Sequence, residues 1–140
     1  MPNLGSTSLK YQLIEFPSEN TLASGRLERI GMPGGDVENH QEAIAQVLDL
    51  PDSIHGIGFK AVHGGPQYRG TFRVNDEILK AMRTYEVAAP LHNSIYLSAL
   101  EIFKSLRPEL PLVLVFETAF HRTLPDHASY YGVPKEWVNR

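Results

Sequence analysis

The sequence predicts one α/β domain organised on a mostly parallel β-sheet, and three observations carry that expectation. The run Leu112 to Phe116, Leu-Val-Leu-Val-Phe, is continuously apolar and introduced by Pro111, the pattern of a strand buried on both faces of a parallel sheet. Two apolar stripes at helical spacing, one of Ala43, Ile44, Val47 and Leu48 and one of Ile95, Ala99, Ile102, Phe103 and Leu106, separate strand-like runs. Finally, 140 residues at 42% hydrophobic content suffice for one core of useful size.

Taken in order, Asn3 to Lys10 (Asn-Leu-Gly-Ser-Thr-Ser-Leu-Lys) reads as a turn-forming loop feeding a hairpin strand, in which Leu9, Tyr11 and Leu13 alternate with polar residues. A second strand spans Thr21 to Ile30 and is ended by Gly31 and the Pro33-Gly34-Gly35 turn. Asn39 followed by Glu42 has the form of a capping box for the first helix. Ile54 to Val62 returns to strand character and empties into His63-Gly64-Gly65-Pro66. Asn75 caps a short helix through Met82, with Asp76 and Glu77 in the first turn, where the helix dipole favours acids. The longer helix follows Ala89-Pro90-Leu91-His92, with Asn93 as its expected cap and Pro108 and Pro111 closing it. A last helix begins near Pro134 to Trp137, and no repeat, low-complexity segment or linker interrupts the chain.

Charge and composition exclude several classes of function. Thirteen Lys and Arg against sixteen Asp and Glu, net -3, give no basic field for nucleic acid. Without cysteine there is neither a disulfide framework nor a thiolate metal site. The first residues lack a targeting pattern and no apolar run is long enough to span a bilayer, so the expectation is a soluble, cytoplasmic protein with no membrane partner.

Three positions offer chemistry. Glu117 stands where the apolar run ends, and the carboxyl ends of strands in open α/β sheets collect ligands and catalytic groups. It serves there as a general base or a metal ligand, or else simply faces solvent. The Asn3–Lys10 loop sets Asn3, the hydroxyls of Ser6, Thr7 and Ser8 and the charge of Lys10 around Gly5, a set suited to a phosphate with Mg²⁺; the alternative is an ordinary Ser-rich turn. His92 precedes a helix N-terminus, where it can donate to a phosphoryl or carboxylate oxygen or remain structural. His63, His92 and His121 with Glu117 also make a conceivable zinc set for a hydrolase, although their spacing matches no metal motif.

Six segments in this order resemble the acetate kinase (acetokinase) family, of the actin-like ATPase superfamily. They are Asn3-Leu4-Gly5-Ser6-Thr7-Ser8-Leu9-Lys10, Gly25-Arg26-Leu27-Glu28-Arg29-Ile30-Gly31, Asn39-His40-Gln41-Glu42-Ala43, Val62-His63-Gly64-Gly65, Ala89-Pro90-Leu91-His92-Asn93 and Val115-Phe116-Glu117-Thr118-Ala119-Phe120-His121. The resemblance implies a three-layer, ribonuclease H-like α/β domain with a mixed sheet. It also implies reversible transfer of the ATP γ-phosphoryl to acetate or another short carboxylic acid, with Mg²⁺ and ATP/ADP as partners in a homodimeric family. Carried over by position, Asn3 lies near Mg²⁺, Lys10, Ser6 and Ser8 near the nucleotide, Lys60, Val62 and Leu91 around the acid, and His92 and Glu117 at the transferred phosphoryl.

Lys60 and Glu117 stand where the commonest family pattern has Arg and Asp. Both keep the sign of charge, but Lys lacks the two-pronged grip of Arg on a carboxylate. On this resemblance residues 1–140 are the N-terminal part of a divergent member, with the first strand reduced to Met1-Pro2, residues deleted between Gly31 and Asn39, and the C-terminal nucleotide-binding domain absent. These 140 residues alone are then expected to be a poor enzyme, and a non-enzymatic truncated gene product is the alternative.

Overall fold

The computed structural model describes residues 1–50, 54–88 and 90–137. The chain opens as an antiparallel meander of β1 (Pro2–Gly5), β2 (Ser8–Ile14) and β3 (Thr21–Glu28), in the order β1-β2-β3. Asn3, Leu4 and Gly5, which the sequence places in a loop, are therefore strand, and only Ser6 and Thr7 turn. The reason is Leu4, which is buried and sits opposite the buried Leu9, so the apolar pair holds the register that the polar neighbours obscure.

The link from β3 to α1 (His40–Leu48) closes on itself: the Gly31 amide donates to the Val37 carbonyl, that of Asp36 to Glu28 and that of Gly35 to Met32. Gly35 is required there, because a Cβ would lie 1.9 Å from the Arg29 carbonyl oxygen. Asn39 caps α1 as its sequence suggests, accepting from the Glu42 amide at 2.9 Å. The reciprocal half of the box goes elsewhere, since the Glu42 carboxylate accepts from the Glu38 amide. Ala43, Ile44 and Val47 are the buried stripe.

A second sheet holds β4 (Ile57–Ala61), β6 (Leu112–Phe116) and β5 (Thr71–Arg73), in the order β4-β6-β5. β4 and β6 are parallel, while β5 pairs antiparallel with β6, so the sheet is mixed rather than mostly parallel. Between β4 and β6 the chain crosses through β5, α2 (Asp76–Thr84) and α3 (Pro90–Leu106), and a short α4 (Asp126–Ser129) lies in the tail. β6 also departs from its sequence reading. Leu112, Leu114 and Phe116 are buried, but Val115 is 43% exposed, so burial of β6 alternates and only one of its faces is buried in the core.

Helix α2 is capped by Asn75, as the sequence indicates. Asn93, in contrast, does not cap α3. The helix begins at Pro90, whose fixed φ suits a first helical position, and Asn93 lies one turn inside it, fully buried. Its Nδ2 donates to the His63 carbonyl at 2.9 Å and, more weakly, to that of Met82 at 3.4 Å, tying α3 to the loop after β4 and to α2.

The two sheets share one core. A single cluster includes Leu4 and Leu9 from the first sheet, Ile57, Phe59, Leu112 and Leu114 from the second, and Leu97, Leu100 and Phe103 from α3. Phe59 and Phe103 meet edge to face with ring centroids 5.2 Å apart. Among the described residues no helix is long and apolar enough to cross a membrane.

Candidate active site

Parallel pairing builds the site. The register sets Ala61 opposite Phe116, so the residues that follow, Val62 and Glu117, leave the sheet at one level, at the carboxyl ends of adjacent strands. Lys60 emerges from the uncovered face of β4, and its Nζ lies 2.8 Å from Glu117 Oε1. The hydrogen bond and charge of Glu117 hold the Lys60 ammonium above its ordinary range, so it stays charged at neutral pH.

Around this pair is a cleft of about 560 Å³ lined by residues from β1 and its turn (Asn3, Ser6), β4 and its end (Lys60, Val62), α3 (His92, Tyr96) and Glu117. His92 is exposed in the first turn of α3, with its ring at the helix end where backbone amides favour anions. Gly5 belongs to the same wall, and its carbonyl accepts from His40 Nε2 at 3.0 Å, which fixes the β1–β2 turn against the start of α1.

Of the positions singled out in the sequence, Asn3, Ser6, Lys60, Val62, His92 and Glu117 come together. Lys10 does not line this cleft. It projects from β2 into an adjoining groove of about 550 Å³ that shares Asn3 and Lys60 with the cleft. Ser8 lines neither cavity and is paired with Gly5 across the hairpin. Leu91 is in α3, and its side chain lies outside the described residues.

The zinc reading finds no geometry. Among the described residues no group of three His, Asp or Glu side chains is close enough to hold a metal. His63 Nδ1 instead accepts from the Gly65 amide, and His121 sits exposed beside Phe120 in the 3-10 turn after β6.

Tyr96 is the site residue that sequence reasoning missed. It is only 4% exposed, yet its hydroxyl reaches the cleft and donates to Asn3 Oδ1 at 3.3 Å. Its spacing of four from His92 was the available signal, since i and i+4 share a helix face, but an aromatic residue at that spacing reads equally as core.

Chemically, the cleft offers an ammonium paired to a carboxylate, an imidazole, an amide and a hydroxyl, beside the apolar side chains of Val62 and Ile95. That combination suits a small anion with a short apolar tail.

The sequence profile of the Acetokinase family matches residues 36–140. An acetate kinase of Clostridium botulinum (strain Langeland / NCTC 10281 / Type F) is 39% identical over 160 aligned positions, covering 96% of this chain and 40% of the relative. The crystal structure of Porphyromonas gingivalis acetate kinase superposes with a TM-score of 0.87 at 30% identity, covering 99% of this chain and 41% of that one. A propionate kinase structure from Francisella tularensis gives 0.86 at 27% identity, with 96% and 40% covered. The chain thus spans about 40% of the length of the relatives it matches.

Proposed function

This chain belongs to the acetokinase family, and from that premise we propose that it forms the acceptor-binding part of a carboxylate kinase, one that moves a phosphoryl group between ATP and a short acid such as acetate or propionate. The observation that carries the reading is the meeting of Lys60, Glu117, His92 and Asn3 on one cleft at the carboxyl ends of two parallel strands.

Lys60 attracts the acid's carboxylate, while Val62 and Ile95 face its alkyl end and select for a short one. His92, at the start of α3, donates to the transferred phosphoryl and adds to the pull of the helix end. Glu117 holds the Lys60 ammonium in place before the acid arrives and competes with the acid for it. Phosphoryl transfer asks a protein for positioning and charge stabilisation rather than covalent work, and these residues supply both.

Mg²⁺ fits the donor chemistry of the cleft: Glu117 Oε1 is engaged by Lys60, which leaves the other carboxylate oxygen as a hard ligand, with the Asn3 carboxamide beside the same cleft. When bound it would neutralise charge on the phosphates. On this reading Ser6 in the cleft and Lys10 in the adjoining groove would serve the nucleotide, as would Ser8 from its place opposite Gly5 in the hairpin.

The test is trapping of acyl phosphate with hydroxylamine, run beside acetate titration of the ¹⁵N-labelled chain. Acetate should shift the signals of Lys60, Val62 and His92, with hydroxamate formed far below a kinase rate, because losing even one electrostatic contact to the phosphoryl costs about 10²- to 10³-fold. Acetate that moves none of these signals would refute the acceptor assignment. Robust Mg²⁺-dependent hydroxamate that vanishes in Glu117→Ala would mean that residues 1–140 suffice for catalysis.

A further inference from the structure

We propose that Asn93 is a positioning residue that sets the width of the acid pocket: its side chain ties the wall that carries Ile95 to the wall that carries Val62. The proposal deepens the carboxylate kinase reading and rests on it.

The link lies directly behind the cleft. Val62 and Ile95 both line that cleft, Val62 from just beyond the end of β4 and Ile95 from the start of α3. His63 follows Val62 in the chain, and Asn93 stands between His92 and Ile95. The 2.9 Å bond from Asn93 Nδ2 to the His63 carbonyl therefore joins the two walls within two residues of the side chains that face the acid. The weaker bond to the Met82 carbonyl anchors the same amide on α2.

Each wall is stiff by itself. Ile95 packs against the core and is β-branched in a helix, where its first side-chain torsion is nearly fixed. The loop after Val62 is held at Gly65, whose φ is +81° and where a Cβ would lie 2.4 Å from the Tyr85 ring, so no other residue fits. What is left to set is the distance between the walls, and Asn93 spans it.

Among the described residues Asn93 is also the one amide or charged side chain that is buried, and its Oδ1 finds no partner among them. Filling space does not call for such a group, because an apolar side chain would avoid the cost of the unpaired oxygen. A directed bond between two walls does call for it.

The experiment titrates acetate, propionate and butyrate into the 140-residue chain, read from the NMR signals of Lys60, Val62, His92 and Ile95. The deciding quantity is the ratio of butyrate to acetate affinity. A partly unfolded population scales both affinities by the same factor, so a merely structural loss leaves that ratio unchanged. Asn93→Leu should raise it by about fourfold, the worth of one more buried methylene, and Asn93→Ser, which keeps a donor, should raise it less. In the native chain the Asn93 side-chain amide protons should exchange as slowly as the backbone amides of β6, a check that needs no variant to fold.

An unchanged or lowered ratio in Asn93→Leu would overturn the Asn93 assignment and leave the acceptor reading standing. Rapid exchange of the native Asn93 amide would do the same. Acids that move none of Lys60, Val62 and His92 would overturn the acceptor reading, and the assignment with it.

Discussion

Lys60 and Glu117 satisfy each other across the cleft, and that has a measurable consequence for ligands. Both side chains are about half exposed, so their ion pair contributes little to stability and its importance is chemical. An incoming carboxylate must share Lys60 with Glu117 and sit near its negative charge. Glu117→Gln should therefore tighten acetate binding, and Lys60→Met should loosen it, each by roughly threefold to fivefold, the scale of one exposed charge pair. Titration followed by NMR checks this, and a looser Glu117→Gln complex would mean that Glu117 itself contacts the acid favourably. The pH dependence has a definite sign. Lys60 and Tyr96 both ionise above their ordinary values of 10.5 and 10.0 in the fold, so what they contribute to stability is complete below those values and is lost as pH rises through the folded ones. The urea midpoint should show no loss from these two groups between about pH 7 and 9 and should decline above about pH 10. A decline attributable to them between about pH 6 and 8 would contradict the assignment.

Helix ends show what sequence pattern can and cannot resolve. Asn39 and Asn75 were legible as caps because a capping asparagine needs only the amide three residues on, which is local information. Asn93 looks the same in sequence and does something else, because its partners, the carbonyls of His63 and Met82, are brought to it by the fold. The same distinction separates the legible part of the site from the rest. Glu117 and Lys60 could be named because strand ends and parallel pairing follow from apolar runs, whereas the Tyr96–Asn3 bond needed α3 laid against β1. The misreading of β6 as covered on both faces has a related cause, since an apolar run does not say whether a second layer is present. The two kinds of asparagine should differ in energy. Asn39→Ala or Asn75→Ala should cost about 1 kcal/mol, while Asn93→Ala should cost about 2–3 kcal/mol, because it leaves buried carbonyls without a donor and opens a small cavity. Urea denaturation of the three variants checks the order, and equal losses would show that the Asn93 bonds are replaced by water.

The architecture of the whole chain raises the question of how many units unfold. Two three-stranded sheets, each with its own hydrogen-bond ladder, could in principle melt separately, because no backbone ladder joins a strand of one to a strand of the other among the described residues. Packing argues against that. The apolar residues of both sheets belong to one cluster, with α3 touching β1 on one side and β4 on the other, so neither sheet can lose its register without exposing the side chains that the other is packed on. Hydrophobic burial is the dominant favourable contribution and is shared, whereas the ladders that are separate contribute less in net terms. The tail is different. Leu124, Tyr130, Tyr131, Val133 and Trp137 are all substantially exposed and lie outside that cluster, so little binds this segment to the rest. Urea unfolding should accordingly give one transition in far-UV circular dichroism, coincident with loss of amide protection in both β2 and β6, while Trp137 fluorescence changes little through it. Protection of β2 lost at a lower urea concentration than that of β6 would mean that the meander folds as a separate unit and that the shared core is weaker than its burial implies.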